Sequence, residues 1–187
     1  MRISHHYQIE VTSDEILMAK KDKLYFEKIY NTYFERIFRF LFRRTDNEAD
    51  TADLASRTFV RALNGLPKYE DRGVPFSAWL YRIATNELYK FYRKKNSHQI
   101  LSLEEESVKE VLEDDSDEAD EIKLSQLKAL MGQLKDEELN ILELRFFEGL
   151  EFQEIAFVLQ KKESAVKMRV YRLLEKLKIR FNESAPK

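Results

Sequence analysis

The chain has 187 residues, a net charge of -2, and no cysteine, which excludes disulfides and thiolate metal sites. Its length allows one large domain or two small ones. Only four glycines and three prolines interrupt the chain, so we predict long helices and an all-α protein. The three histidines, His5, His6 and His98, lie in polar, unpatterned surroundings, and we assign them no metal, cofactor or catalytic role. No apolar run is long enough to span a membrane and no signal peptide is evident, which predicts a cytoplasmic protein.

Helical periodicity begins after a weakly patterned segment of about 20 residues, which we expect to be frayed. Apolar residues recur at three- and four-residue spacing over residues 24–42, and a second amphipathic stretch covers residues 49–63. These two helices are expected to pack as a hairpin. The glycine- and proline-rich segment 64–75 then predicts a long loop, which precedes a third helix over residues 76–95.

An acidic segment divides the chain. Residues 96–123 hold eleven acidic residues and two lysines, a net charge of -9, which leaves +7 on the remainder. Such a composition is typical of a flexible linker. We therefore predict an N-terminal domain over residues 20–95, an acidic flexible linker over residues 96–122, and a C-terminal domain over residues 123–187. The positive charge outside the linker is compatible with a nucleic-acid partner.

The C-terminal part contains the pattern of a helix-turn-helix. Helical periodicity resumes over residues 122–131, a further helix is expected over residues 137–147, and Gly149 ends it. Two short amphipathic helices follow over residues 151–159 and 163–177, joined by Gln160, Lys161 and Lys162. The small residue Ala156 in the first of them allows the second to cross it closely.

The second short helix has a basic outer face. Residues 161–180 include eight basic and two acidic residues, a charge that attracts phosphates while the N-terminal residues of the helix meet base edges. The alternative is a solvated helix whose charges only maintain solubility. The residues that would face DNA are Ser164, Lys167, Met168, Tyr171 and Arg172.

The third helix combines aromatic and basic residues. Arg82, Asn86, Tyr89 and Arg93 share one helical face. Aromatic rings stack on unpaired bases while cations follow the backbone, which suits single-stranded DNA. Most aromatic residues at helical spacing are core residues instead, and we assign Phe76, Trp79 and Phe91 to the core.

These segments together resemble a known family. PFSAWLYRIATNELYKFYRKK, preceded by DTADLASRTFVRAL and followed by LRFFEGLEFQEIAFVLQ and SAVKMRVYRLLEKL, resembles a bacterial RNA polymerase sigma factor of the extracytoplasmic-function (ECF) group. The resemblance extends over residues 26–177, and the motifs occur in the right order. It implies a non-enzymatic factor that binds core RNA polymerase and promoter DNA. Factors of this kind are commonly held by an anti-sigma protein, and their linker follows a path through the polymerase, whereas most acidic linkers are only solvated tethers.

The resemblance also implies roles for particular residues. Asp53, Leu54, Arg57 and Arg61 would bind the polymerase. The helix-turn-helix would read the minus-35 duplex through the five residues of its outer face. The residues that would contact the minus-10 element are Asn64, Lys68, Arg82, Asn86, Tyr89 and Arg93.

Two departures from the family pattern affect these expectations. Ser56 and Arg57 stand where the family has a glutamine and an acidic residue, so the polymerase contacts there are expected to differ. The corner Gln160-Lys161-Lys162 replaces a glycine, an aliphatic residue and a capping hydroxyl, and we expect a looser or reshaped corner. We hypothesise that Lys161 and Lys162 add phosphate contacts in return.

Two other classes of protein compete with this interpretation. An autonomous helix-turn-helix regulator would share the C-terminal pattern, but it would not need the aromatic and basic helix 76–95. A hydrolase or metalloenzyme would need cysteine, suitably placed histidine or a glycine-rich phosphate loop, and the sequence offers none of these.

Overall fold

The computed structural model describes residues 10–95 and 129–183, with side chains as far as residue 181. Within these ranges every regular element is helical, which confirms the all-α prediction. The predicted linker, residues 96–122, lies outside them. The α-helices are α1 (Ser13–Lys21), α2 (Phe26–Thr45), α3 (Glu48–Gly65), α4 (Phe76–Lys95), α5 (Asp136–Leu142), α6 (Phe152–Leu159) and α7 (Glu163–Glu183).

The prediction that the first 20 residues are frayed is wrong for α1. Thr12 precedes this helix and its hydroxyl accepts a hydrogen bond from the Glu15 backbone N–H at 3.2 Å. The Glu15 carboxylate in turn accepts from the Thr12 backbone N–H at 2.8 Å. This capping box satisfies two backbone donors that the start of a helix otherwise leaves open, and it stabilises a helix that has only a weak apolar face.

Helices α2 and α3 form the expected hairpin. Asp46 and Asn47 join them, with Asp46 in the left-handed conformation at φ 48°. The Asn47 side chain then caps α3 by accepting a hydrogen bond from the Asp50 N–H at 2.9 Å. The apolar faces of both helices are buried, and α4 packs against both of them.

The loop predicted for residues 64–75 is shorter than expected. Helix α3 continues through Gly65, a 3₁₀ turn covers Leu66–Lys68, and irregular chain is confined to residues 69–75. Gly65 lets the Trp79 ring pack closely, since a Cβ there would lie 3.3 Å from that ring, which is a tight contact. The aromatic rings of Tyr69, Phe76 and Trp79 pack together beneath this loop, at centroid distances of 5.0 to 5.2 Å.

The C-terminal helices pack on the N-terminal ones. We call residues 10–95 the N-terminal domain and residues 129–183 the C-terminal domain. Helix α6 packs between α7 and α4, and the buried apolar residues of both domains form one continuous cluster. A π-helical segment, Glu143–Phe147, follows α5 and faces α2 through charged side chains. Different faces of α4 therefore contact α2, α3 and α6. These contacts determine which of its predicted binding residues are accessible to DNA.

Candidate nucleic-acid interface

The corner of the helix-turn-helix closes without glycine. Gln160 adopts the left-handed conformation, at φ 56° and ψ 45°. This places the Lys161 N–H 2.9 Å from the carbonyl oxygen of Ala156, a hydrogen bond that ends α6 in the way glycine-containing corners do. The expectation of a looser corner is therefore wrong, since the turn is retained and its cost falls on the backbone conformation of Gln160.

Helix α7 buries one face and exposes the other. Val166, Val170 and Leu173 are at most 2% exposed and pack on α6. On the opposite side, Met168 is 52% and Tyr171 56% exposed, which is unusual for large apolar residues that only serve a core. All the residues predicted to face DNA lie on this open side: Ser164, Lys167, Met168, Tyr171 and Arg172.

Glu137 of α5 lies against the basic end of this motif. Its carboxylate pairs with the Lys161 ammonium and, at 3.4 Å, with the Arg169 guanidinium. The hydrogen bond from Lys161 is the main cause that lowers the pKa of Glu137 below its ordinary value. The carboxylate is therefore ionised at neutral pH, and it partly neutralises two cations next to the predicted duplex-binding face.

The predicted strand-binding face of α4 is divided by the structure. Asn86 and Arg93 are exposed to solvent. The Arg82 guanidinium instead lies 5.1 Å from the ring centroid of Phe157 in α6. The Tyr89 hydroxyl accepts a hydrogen bond from the Asn140 side chain of α5 at 2.5 Å, so the C-terminal domain covers two of the four residues.

A buried ion cluster joins the two domains, and the sequence analysis missed it. We call Arg43 and Arg44 of α2, with Glu143 and Glu148 of the C-terminal domain, the interdomain cluster. Arg44 and Glu143 are fully buried, and their charged atoms are 3.1 Å apart. Arg43 bonds Glu143 at 3.4 Å and also bonds Glu148, which accepts a further hydrogen bond from the Tyr81 hydroxyl.

The geometry of the π-helix explains how two glutamates meet one pair of arginines. The Glu148 N–H donates to the Glu143 carbonyl oxygen at 3.1 Å, five residues back. This wider turn brings residues five apart to the same side of the helix, which an α-helix does not. Burial raises the pKa of Glu143, and the two guanidinium groups oppose that rise. The only sequence signal for this buried cluster is that charged residues occupy positions where helical periodicity predicts apolar ones, as in NILELRFF, residues 140–147.

The predicted polymerase-binding residues lie along α3. Leu54 is fully buried in the core, so its side chain cannot form part of a contact surface. Asp53 and Arg57 are exposed and pair with each other at 2.6 Å, while Arg61 pairs with Glu87 of α4 at 2.6 Å. Arg57 therefore presents its charge together with that of Asp53, one turn away on the same face.

An open groove of about 1000 Å³ lies on the surface where α3 packs against α4. Asn64 and Lys68, predicted to contact the minus-10 element, lie in it with Arg57 and Arg61. It also contains three basic residues of α4 that were not assigned to the minus-10 element. These are Lys90, Lys94 and Lys95. In the described ranges Lys68 and Lys94 have no ion-pair partner, so the groove has cations available for phosphates.

Metal binding and membrane insertion are two other roles that the described residues bear on. Among residues 10–95 and 129–183, no three histidine, aspartate or glutamate side chains come together as metal ligands would. None of the helices in those ranges combines the length and apolarity that crossing a bilayer requires.

Comparison with known families agrees with this architecture. The family model for sigma-70 region 2 matches residues 29–98, and the model for sigma-70 region 4 matches residues 124–177. RNA polymerase sigma factor YlaC of Bacillus subtilis is 31% identical over 170 residues, which cover 89% of this chain and 96% of that protein. The ECF sigma factor BldN of Streptomyces coelicolor is 28% identical over 81% of this chain, but the match covers only 58% of BldN.

Solved structures show the same fold. CnrH, in complex with the cytosolic domain of CnrY, matches 92% of this chain and 97% of its own, with a TM-score of 0.64 and 22% identity. RpoE of Bartonella quintana, in complex with the anti-sigma factor NepR, matches 86% of this chain and 98% of its own, with a TM-score of 0.60 and 18% identity. An all-helical pair of domains, of which the second carries a helix-turn-helix with an open basic helix, is the architecture of a DNA-binding protein. The chain belongs to the ECF group of the sigma-70 family, whose members are promoter-specific transcription initiation factors.

Proposed function

We propose that this chain binds core RNA polymerase, reads the minus-35 duplex with α7, and helps to open the minus-10 element with α4 and the α3–α4 groove. It acts by binding, without catalysis. In this proposal the N-terminal domain covers residues 20–95, residues 96–122 are a flexible linker, and the helix-turn-helix domain covers residues 123–187.

The observation that most strongly supports the proposal is the open outer face of α7. Lys167 and Arg172 are exposed on it beside Met168 and Tyr171, while the opposite face is buried. A helix presented in this way can enter the major groove and contact both phosphates and base edges. The α3–α4 groove provides the second, basic surface, which suits a single strand.

The partners follow from the family and from what its relatives bind. Core RNA polymerase would contact α3 through Asp53, Arg57 and Arg61, with Leu54 supporting the helix from within. CnrH and RpoE were solved with CnrY and with the anti-sigma factor NepR, which supports an anti-sigma protein as a further partner of this chain.

Reconstitution with core polymerase tests the proposal. The purified chain is mixed with core RNA polymerase, and initiation is measured on fragments selected from a random promoter library. Promoter-specific transcripts that depend on the chain are expected. The function fails if no complex with the polymerase forms when no inhibitor protein is present.

A further inference from the structure

We propose that Glu87 is a positioning residue of the α3–α4 groove, and that its buried carboxylate holds Arg61 where the Arg61 guanidinium binds a phosphate of a single DNA strand. The inference rests on the proposed function, because it concerns the groove that receives this strand. It assigns a DNA contact to Arg61, whose predicted partner is the polymerase, and it adds Glu87, which the sequence analysis did not single out.

The first argument is the position of Glu87 at the floor of the groove. The side chain lines the groove but is only 3% exposed, and a carboxylate is seldom buried without a positive partner. Its Oε1 atom lies 2.6 Å from the Nε atom of Arg61 in α3 and 2.8 Å from the Nζ atom of Lys90 in α4. One buried oxygen thus restrains a cation on each helix that borders the groove.

The second argument is what this contact leaves available. The ion pair with Glu87 is formed at the Nε atom of Arg61, and 57% of the Arg61 side chain stays exposed. Its terminal Nη groups can therefore donate two parallel bonds to a phosphate. An exposed arginine loses side-chain entropy when it binds a ligand. Because Glu87 already restrains Arg61, less of this entropy is lost on DNA binding.

The third argument is that Arg61 continues a row of groove residues. It precedes Asn64 by three residues and Lys68 by seven, and all three line the groove. Residues at this spacing share one side of a helix. The side of the groove formed by α3 and the following 3₁₀ turn thus offers three polar groups in series, and two of them are already predicted to contact the minus-10 element.

A purely structural link between α3 and α4 explains Glu87 less well. The two helices pack against each other, and each has buried apolar residues, such as Ala62 and Leu88. A buried ion pair gives little net stability compared with apolar residues of similar volume. The burial of this carboxylate is better explained by the cations that it holds in the groove.

The test uses two substitutions of Glu87 in the full chain. Glu87→Asp keeps the charge but shortens the side chain by one methylene, which separates the carboxylate from Arg61. Glu87→Gln keeps the length and removes the charge. Each is made alone and together with Arg61→Gln. The matched controls are Glu35→Asp and Glu35→Gln, because Glu35 is exposed on α2. Circular dichroism verifies that each variant keeps its helices.

Affinity is measured across a salt series for a labelled mixed-sequence single strand of about 15 nucleotides. With Glu87 in place, we expect Arg61→Gln to weaken strand binding about tenfold, because a charged hydrogen-bonded contact is lost. The salt slope should fall by about 0.7, the contribution of one phosphate of a single strand. Glu87→Asp should weaken strand binding about fivefold, because the charge is kept and the position is lost. In either Glu87 variant, the addition of Arg61→Gln should cost no more than about twofold.

The inference is overturned if Arg61→Gln costs about the same in every background, which would make Glu87 only a structural link. A larger cost in Glu87→Gln would also refute it, because Glu87 would then only neutralise the groove. So would an Arg61→Gln variant that binds the strand as well as the unmodified chain does.

If neither Glu87 variant folds, ¹⁵N relaxation of the Arg61 Nε–H group in the unmodified chain decides. This group should be as rigid as the α3 backbone before the strand is added, and its resonance should shift on binding. A mobile group, or one that the strand leaves unchanged, would refute the positioning role. Failure of the proposed function would show separately, as absence of a polymerase complex.

Discussion

Arg172 is the residue on which we expect direct promoter reading to depend most clearly. It is exposed on the outer face of α7, four positions from Met168 and one from Tyr171. A guanidinium can bond a guanine edge or a phosphate in the major groove. Its loss should therefore weaken duplex binding without affecting the fold.

We expect Arg172→Ala to reduce the affinity of the reconstituted polymerase complex for a selected promoter duplex by about tenfold, the effect of losing one good contact to a base. Lys178→Ala is the control, because Lys178 is an exposed cation farther along α7 and should contribute only general charge. Equal losses in the two variants would remove Arg172 from the reading surface.

Glu137 neutralises part of the positive charge at the corner of the helix-turn-helix. It pairs with Lys161 and Arg169, so the hypothesis that Lys161 adds a phosphate contact requires that this pair be broken or shared. Phosphates and the Glu137 carboxylate compete for the same cations. We therefore expect Glu137 to influence how strongly duplex binding depends on salt.

Glu137→Gln is predicted to tighten duplex binding and to steepen its salt dependence by about one or two released counterions, because the two cations become free for phosphates. Affinity measured across a salt series gives the slope. Asp136→Asn is the matched control, with the same charge change at a neighbouring exposed residue. A slope no steeper than that of the control would show that Glu137 does not restrain these cations.

The role of a residue could be predicted from the sequence only where that role depends on whether the residue lies on the buried or the exposed side of its helix. The periodicity of α7 was sufficient to assign its buried and open faces. The same reasoning grouped Arg82 and Tyr89 with Asn86, but periodicity cannot indicate that another domain covers part of a face. For Leu54 the family pattern assigned a polymerase contact, whereas the periodicity of α3 already predicts an apolar position, and the side chain is completely buried.

At the scale of elements, the corner between α6 and α7 carries backbone strain. Gln160 is held at φ 56°, a conformation that costs a residue with a side chain about 1 kcal/mol or more. The corner nevertheless closes, because the Lys161 N–H donates a hydrogen bond to the carbonyl oxygen of the buried residue Ala156. A substitution that relieves this strain should therefore raise the free energy of unfolding.

Gln160→Gly is predicted to raise the free energy of unfolding by about 1 kcal/mol, since glycine adopts this conformation without strain. Urea unfolding followed by circular dichroism measures it. Gln153→Gly, on the exposed side of α6, is the control and should destabilise the protein, because glycine is unfavourable within a helix. If the two substitutions shift stability in the same direction, the strain assigned to Gln160 is absent.

Helix α1 shows what element prediction missed and why. Apolar periodicity was weak there, but Thr12 and Glu15 carry the spacing of a capping box, a local signal that was present in the sequence. The π-helical segment differs, because no residue pattern marks it. It forms where tertiary contacts stabilise a wider turn, so it could not be predicted from the sequence.

At the scale of the whole molecule, the continuous buried cluster should make the domains unfold together. Trp79 is the only tryptophan of the chain and lies in the N-terminal domain. Its fluorescence therefore reports that domain, while circular dichroism reports helices in both. The two signals should give the same transition in the wild-type chain.

In Glu143→Gln/Glu148→Gln the two transitions are predicted to separate, because domains without the interdomain cluster unfold independently. Urea titration followed by both signals measures this. The control is Glu27→Gln/Glu35→Gln, which changes the net charge equally at two exposed residues of α2. It should keep coincident transitions. Coincident transitions in the double variant as well would mean that apolar packing alone couples the domains.

The π-helical segment Glu143–Phe147 also determines which kinds of sequence change can abolish the domain contact. Glu143 and Glu148 face the same arginines because the chain has one more residue there than an α-helical turn would accommodate. Inserting one residue between them would turn Glu148 by about 100° relative to Glu143 without changing the identity of either. A deletion would leave the two glutamates four apart, and an ordinary α-helical turn keeps such a pair on one face. The domain contact therefore depends on the spacing of the chain, and relatives that keep both glutamates but carry one more residue between them would not share it.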